Sequence, residues 1–376
     1  GLPARPCAIA KQAAEQHASQ LPFALTAAQQ RTLNEVSSDL ARERPMRRML
    51  QGEVGSGKTA VALLASAQVV AAGAQVAWLV PTEVLAEQHF RNVSALAERL
   101  GLAPLLLAGK LRAGERRERI RRIEDGSANV IVGTHALLSE SVTFRELSAV
   151  VVDEQHRFGV AQRLKLVDKA GVRAPHLLVM TATPIPRSLA LVLYGDLEVS
   201  VIDALPPGRK PIITRRYARA ARADAYRQLE RALAAGGRAF VVCPTIRPGS
   251  KDQEEADDTG EAAAPTARGV EEVHAELSER WGADKVVKLH AQLDHDARTE
   301  ALARFVAGSA SVLVATTIVE VGVDVPEANL IVVEDAERFG LAQLHQLRGR
   351  VGRGERQSAC LLVHADELTA DAEQRL

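Results

Sequence analysis

The chain has 376 residues, with 47% hydrophobic and 25% charged content, and its 47 basic residues balance its 47 acidic ones. That length exceeds one ordinary core and suits two domains of roughly 150–200 residues each. The composition is that of a globular protein: no apolar run approaches the ~20 residues of a membrane span, and the N-terminus shows no signal-peptide pattern. Cys7, Cys243 and Cys360 lie far apart with no CxxC, which points to neither a zinc site nor a disulfide framework. A cytoplasmic location and no membrane partner are the default expectations.

In chain order, residues 1 to about 20 are rich in Ala and Gln and predict a short lead-in helix. MRRMLQ, VAWLV, PLLLA, NVIVG, AVVVD and LLVMTAT follow as predicted strands, and AFVVC, KVVKL, SVLVATT, LIVVED and ACLLV form a second series. Between them lie amphipathic stretches such as EVLAEQHFRNVSALAERL and ADAYRQLERALAAGG, with apolar residues at three- and four-residue spacing. Strands that are apolar throughout rather than at alternate residues are covered on both faces, so the expected fold class is α/β with mostly parallel sheets. The Pro/Gly-rich DALPPGRKP separates the two series. The expected domains are 21–205 and 206–376, the second interrupted by a mobile acidic loop at about 249–269.

The first strand leads into GEVGSGKT, Gly52 to Thr59, and then an Ala/Val/Leu helix. This is G-x-x-x-x-G-K-[ST] in a strand–loop–helix setting. Gly52, Gly55, Ser56 and Gly57 allow the backbone to curl its N–H groups around phosphate at the positive end of the helix. Lys58 reaches the β/γ-phosphates and the Thr59 hydroxyl takes a place on Mg²⁺. ATP and Mg²⁺ are therefore the expected cofactors. A second motif, VVVDEQHRFG from Val150, ends a buried apolar run in two carboxylates. Beside a nucleotide site, Asp153 can hold the metal through water, and Glu154 can orient or deprotonate the attacking water.

Metal binding gives Gln155 and His156 no role, and here a resemblance becomes specific. DEQH together with the phosphate loop resembles superfamily 2 helicases and translocases, whose two RecA-like domains clamp ATP between them. DEQHRFG, TATPIPRSLALVLYGDLEVSVIDALPPGRKPI and ERFGLAQLHQLRGRVGRG resemble the RecG family of branched-DNA helicases, over about Leu21 to His364. The related transcription-repair coupling translocases typically carry DEEQRFG at the second motif, so His156 favours RecG.

The resemblance implies roles for matching residues. In LPFALTAAQ, Gln29 offers an amide to the adenine edge, while Phe23 either lies near the ring or staples the first helix. Thr181 and Thr183 of TATP couple the ATP site to nucleic acid, and His156 contacts that motif or the second domain. Gly322 and Asp324 of ATTIVEVGVDVP face the nucleotide. Gln346 belongs to the coupling set, and Arg350 and Arg353 of QLRGRVGR supply charge to the transferring phosphoryl group, with Arg353 as the finger. Pro81, Thr82, Gly133, Thr134 and His135 in domain one, with Thr245, Thr316 and Thr317 in domain two, track a DNA backbone. Strand ends of this kind suit phosphates without reading bases. The Arg112–Arg122 stretch reads instead as a solvated face with pairs such as Glu118–Arg122.

The implied activity is a monomeric ATP-dependent DNA helicase or translocase acting on forks and Holliday junctions in repair and recombination. RecG proteins also carry an N-terminal wedge with an OB fold and a C-terminal coupling hairpin. With about twenty residues before the motor and an end at Leu376, the expectation is a motor portion with weak fork recognition. The alternatives are another double-stranded DNA translocase of the transcription-repair type, an ATP-gated DNA-binding scaffold, or RNA unwinding.

Overall fold

Each strand of the first sheet divides its side chains between two apolar layers. Val76, Trp78, Val130, Val132, Ala149, Val151, Leu178 and Met180 pack into one cluster. Their neighbours Ala77, Leu79, Ile131, Val150, Val152 and Val179 pack into another. Successive strand side chains point to opposite faces, so an uninterrupted apolar strand requires cover on both sides, which helices provide. The second sheet repeats this, with Phe240, Val242, Leu313 and Ile331 on one face and Val241, Cys243, Val314 and Val332 on the other.

The computed structural model describes residues 2–109, 111–153, 173–181, 197–204, 210–247, 267–316, 325, 327–352, 354 and 356–376. The chain divides into two units, Gly1–Pro207 and Gly208–Leu376. In the first, the strands are β1 (Arg47–Gly52), β2 (Gln75–Leu79), β3 (Pro104–Leu107), β4 (Val130–Gly133), β5 (Leu147–Asp153), β6 (His176–Thr181) and β7 (Glu198–Ile202). They form a seven-stranded sheet of order β3-β4-β2-β5-β6-β1-β7. Its described α-helices are α1 (Lys11–Ser19), α2 (Ala27–Leu40), α3 (Lys58–Ala71), α4 (Glu83–Leu96) and α5 (Ala113–Glu124).

The second unit contains β8 (Ile213–Ala218), β9 (Arg238–Val242), β10 (Val286–Leu289), β11 (Val312–Ala315), β12 (Ala328–Val333) and β13 (Ala359–His364). Their order is β10-β11-β9-β12-β13-β8. Its described α-helices are α6 (Arg222–Ala234), α7 (Val270–Trp281), α8 (His295–Ala307), α9 (Leu341–Arg348) and α10 (Ala370–Arg375). Every strand pairing in both sheets is parallel. The fold is therefore two tandem α/β units of the RecA-like type.

Two strands escaped the sequence reading, β7 and β8, and both lie at sheet edges. β8 reads ITRRYA and buries none of its residues, so it lacks the apolar run that marks a central strand.

The lead-in segment precedes α1 as an extended strap on the first unit. The backbone N–H groups of Ala4 and Cys7 donate to the carbonyls of Glu43 and Leu40, and the Ala174 N–H donates to the Pro3 carbonyl. The Arg5 guanidinium donates to the Ala72 carbonyl at 2.7 Å. The predicted lead-in helix exists as α1, which has no buried residue. Among the described residues no helix is long and apolar enough to cross a membrane.

Candidate nucleotide and nucleic-acid site

Parallel pairing places the functional strand ends of the first unit on one edge. In register, Gln51 lies opposite Thr181, Asp153 opposite Met180, and Leu79 opposite both Gly133 and Val152. The phosphate loop after β1, Asp153 at the end of β5 and Thr181 at the end of β6 thus emerge from three adjacent strands. Pro81–Thr82 and Gly133–His135 continue that carboxyl edge. This is where open α/β sheets bind ligands.

The loop itself is shaped by glycine. Gly55 has φ +78° and Gly57 has φ +91°, immediately ahead of α3. A β-carbon at Gly57 would lie 2.1 Å from Gln29 Nε2, and one at Gly52 would lie 2.5 Å from Ser56 Oγ. A side chain at either position would have to displace these neighbours. The Lys58 ammonium folds back onto the carbonyls of Gly52 at 2.7 Å and Glu53 at 3.0 Å. These are neutral acceptors, and an anionic phosphate offers a stronger, charge-assisted bond to the same group. The Ser56 hydroxyl is buried with no hydrogen-bond partner among the described residues. Thr59 is half-buried in the first turn of α3. A phosphate chain with its cation fits this cradle.

Gln29 is fixed at both ends of its amide. Oε1 accepts the Thr26 N–H at 2.9 Å, Nε2 donates to the Ser56 carbonyl at 2.7 Å, and the Thr26 hydroxyl accepts the Gln29 N–H at 3.2 Å. This is a capping box at the start of α2. It ties the segment expected to read adenine to the phosphate loop. Phe23 is 52% exposed.

Asp153 carries the contact that sequence reading missed. Its Oδ2 lies 2.8 Å from His89 Nε2, and both side chains are mostly buried. His89 belongs to α4, on the buried stripe Ala86, His89, Val93. A histidine within an apolar stripe was the available signal, since a separation of 64 positions hides the pairing itself.

The expected track residues of the first unit differ in access. Pro81 and Thr82 are half-buried, His135 is exposed and Thr134 is buried. The Thr82 hydroxyl accepts the Leu85 N–H at 3.4 Å, capping α4. A β-carbon at Gly133 would meet the Leu107 carbonyl oxygen at 2.5 Å, so close strand packing also demands glycine there. On α5, Glu118 pairs with Arg121 at 2.7 Å, three residues away rather than four, and Arg119 pairs with Glu115. The Arg121 hydrogen bond lowers the Glu118 pKa. The solvated-face reading stands with Arg121, not Arg122, as the partner.

In the second unit, Thr316 follows β11 and Thr245 follows β9, again at carboxyl ends. Thr245 is 5% exposed, and its hydroxyl has no partner among the described residues. Gln346 on α9 and Arg350 just beyond it are both buried. Glu154, His156, Thr183, Thr317, Gly322, Asp324 and Arg353 lie outside the described residues.

A second acidic strand end, Glu334–Asp335 after β12, mimics the DE of β5 in sequence but not in surroundings. Tyr226 donates to Glu334 at 2.5 Å and Arg222 at 2.7 Å. Asp335 takes the Arg219 guanidinium and the Arg268 N–H. Burial holds the Tyr226 hydroxyl well above its ordinary pKa. These carboxylates are structural anchors. The three cysteines are buried free thiols, and burial pushes Cys7 up to about 11 and Cys360 up to about 12, which leaves them unreactive.

Residues 26–192 match the DEAD/DEAH box helicase family, and residues 224–355 match the helicase conserved C-terminal domain. Fold and domain matches together define a protein with tandem helicase domains. The chain is 44% identical over 361 residues to the ATP-dependent DNA helicase RecG of Aquifex aeolicus, covering 95% of this chain and 43% of that protein. With the protein of the same name from Mycobacterium tuberculosis (strain H37Rv) it shares 47% over 380 residues, covering 95% and 50%. The solved structure of RecG bound to a three-way DNA junction matches with TM-score 0.79 and 37% identity, over all of this chain and 47% of that one. Dbp5 of S. cerevisiae bound to RNA and ADP BeF3, at 17% identity and TM-score 0.66, shows the fold alone. Along nearly its whole length the chain is similar to these RecG proteins. It spans about half the length of the curated relatives it matches.

Proposed function

We propose that this chain is the ATP-driven motor of a DNA helicase or translocase of RecG type, working on branched DNA such as replication forks and Holliday junctions. The observation that carries the reading is the register of β5, β6 and β1, which brings the phosphate loop, Asp153 and Thr181 to one edge of one sheet. In this reading Lys58 leaves the Gly52 and Glu53 carbonyls for the β/γ-phosphates, and the Gly55–Gly57 backbone cradles them. Thr59 and Asp153 would hold Mg²⁺, which would neutralise phosphate charge. Glu154 orients the attacking water, Gly322 and Asp324 face the nucleotide, and Arg350 and Arg353 stabilise the phosphoryl group in transit. Thr181, Thr183, His156 and Gln346 relay the nucleotide state to the DNA residues.

DNA is gripped through its phosphates by Pro81, Thr82, Gly133, Thr134, His135, Thr245, Thr316 and Thr317. With 3% aromatic residues in the chain, base stacking supplies little of the hold. The junction-bound relative supports branched DNA as substrate. The test is steady-state ATP hydrolysis with no nucleic acid, linear duplex, forked DNA and RNA. DNA is expected to stimulate and RNA is not. Lys58→Ala abolishes hydrolysis with the fold retained, whereas Arg353→Ala binds nucleotide and does not turn over. Full turnover by Arg353→Ala would place the finger elsewhere, and stimulation by RNA alone would overturn the substrate.

A further inference from the structure

Asp153 is placed as a metal ligand, and its carboxylate rotamer determines where the cation sits. The ring of His89, on the buried stripe of α4, approaches one carboxylate oxygen at 2.8 Å. His89 Nδ1 is buried without a hydrogen-bond partner among the described residues. A buried lone pair costs less unpaired than a buried N–H, so the proton belongs on Nε2, donating to Asp153. The ring is held in turn. Its centroid lies 5.2 Å from that of Trp78, tilted by 58°. Trp78 is fully buried in β2, and its indole N–H donates to the Ser66 hydroxyl at 3.0 Å. That hydroxyl donates to the Ala62 carbonyl at 2.8 Å, on the helix that opens with Lys58. His89 also sits seven residues, about two turns, beyond Thr82.

We propose that His89 is a positioning residue for the hydrolytic site: it fixes the Asp153 carboxylate for the cation and ties it to α4, the helix that starts at the Pro81–Thr82 DNA contact. The inference rests on the nucleotide reading above and adds to it a route by which one DNA-contacting segment reaches the metal. A shift of α4 on DNA binding moves His89 and with it the carboxylate. Groups that orient metal ligands in this way typically change metal affinity or activity about 10- to 100-fold when removed.

The experiment titrates Mg²⁺ into the full chain with a fluorescent ATP analogue and reads binding rather than turnover. Wild type, His89→Ala and His89→Gln are compared, together with nucleotide binding in EDTA and thermal unfolding. The Gln variant can place an amide N–H where Nε2 stands. The expected result is a rise of about tenfold or more in the Mg²⁺ half-saturation point for His89→Ala, recovery in His89→Gln, and equal metal-free binding in all three. An unchanged Mg²⁺ midpoint in His89→Ala, with wild type binding normally, overturns the inference and leaves the ATP reading standing. An equal rise in both variants, accompanied by equal loss of thermal stability, also overturns it, by showing a packing role. Failure of wild type to bind the analogue at all overturns the nucleotide reading and this inference with it.

Discussion

At Gly57, backbone geometry and neighbouring packing forbid a side chain for separate reasons. Its φ of +91° lies in the left-handed region, which costs an L-residue about 1–2 kcal/mol. A β-carbon there would also strike the Gln29 amide, whose bond to the Ser56 carbonyl is worth about 1 kcal/mol. Gly57→Ala should therefore cost about 2–3 kcal/mol in the unfolding of the first unit and weaken ATP-analogue binding as Gln29 is driven off the loop. Chemical denaturation with the binding titration checks this, and a loss below about 1 kcal/mol would show that the loop relaxes freely. The glycine requirement was legible in GEVGSGKT because the motif names the turn. The identity of the obstructing group was not, since Gln29 precedes Gly57 by 28 positions and sequence gives no distance. The same limit hid His89 from Asp153.

Among the elements, strands with a continuous apolar run were legible, the edge strands β3 and β10 included, whereas the edge strands β7 and β8 were not. β1, β2, β4, β5 and β6 carry apolar side chains to both faces, and that continuity is visible in AVVVD or NVIVG without any partner. β8 needs only one neighbour, β13, and its Arg215 and Arg216 face solvent, so nothing in ITRRYA separates it from a loop. The strap before α1 was equally unreadable, because its fixing points are backbone groups and one buried histidine. His176, at the start of β6, accepts the Met46 N–H at Nδ1 (3.0 Å) and donates from Nε2 to the Arg5 carbonyl (2.9 Å). Burial, opposed by the Arg5 bond and by Asp39, leaves its pKa below the ordinary value. A proton on Nδ1 would face the Met46 N–H. With the folded pKa below the unfolded one, the unfolded chain binds more protons between them, so this stability is complete above about pH 6.5 and is lost as pH falls through the folded pKa. The denaturation midpoint of the first unit should drop between about pH 7.5 and 5.5, and His176→Asn should flatten that drop. An identical slope in the variant would assign the effect to other groups.

For the molecule as a whole, the alternation of apolar strands and amphipathic helices was enough to give two α/β units. Strand order was not readable from it, yet strand order is what puts the end of β1 beside that of β6 and one strand away from that of β5. Function therefore had to be read through motifs whose assembly only the sheet explains. The division of labour between the units gives a sharp expectation. The first unit owns the phosphate loop, Asp153 and Glu154, and its apolar clusters include Trp78, Leu50, Val61 and Val152 from its own elements, so residues 1–207 have a core with which to fold alone. Arg350 and Arg353 belong to the second. A polypeptide of residues 1–207 should bind the ATP analogue with Mg²⁺ but hydrolyse ATP slower than the full chain with DNA by about 10³-fold or more, the scale of a missing arginine. Adding DNA should not restore the rate. If residues 1–207 hydrolysed ATP at the full chain's DNA-stimulated rate, guanidinium groups from the second unit would have no part in phosphoryl transfer, and Arg350 and Arg353 would be left with a role in binding DNA.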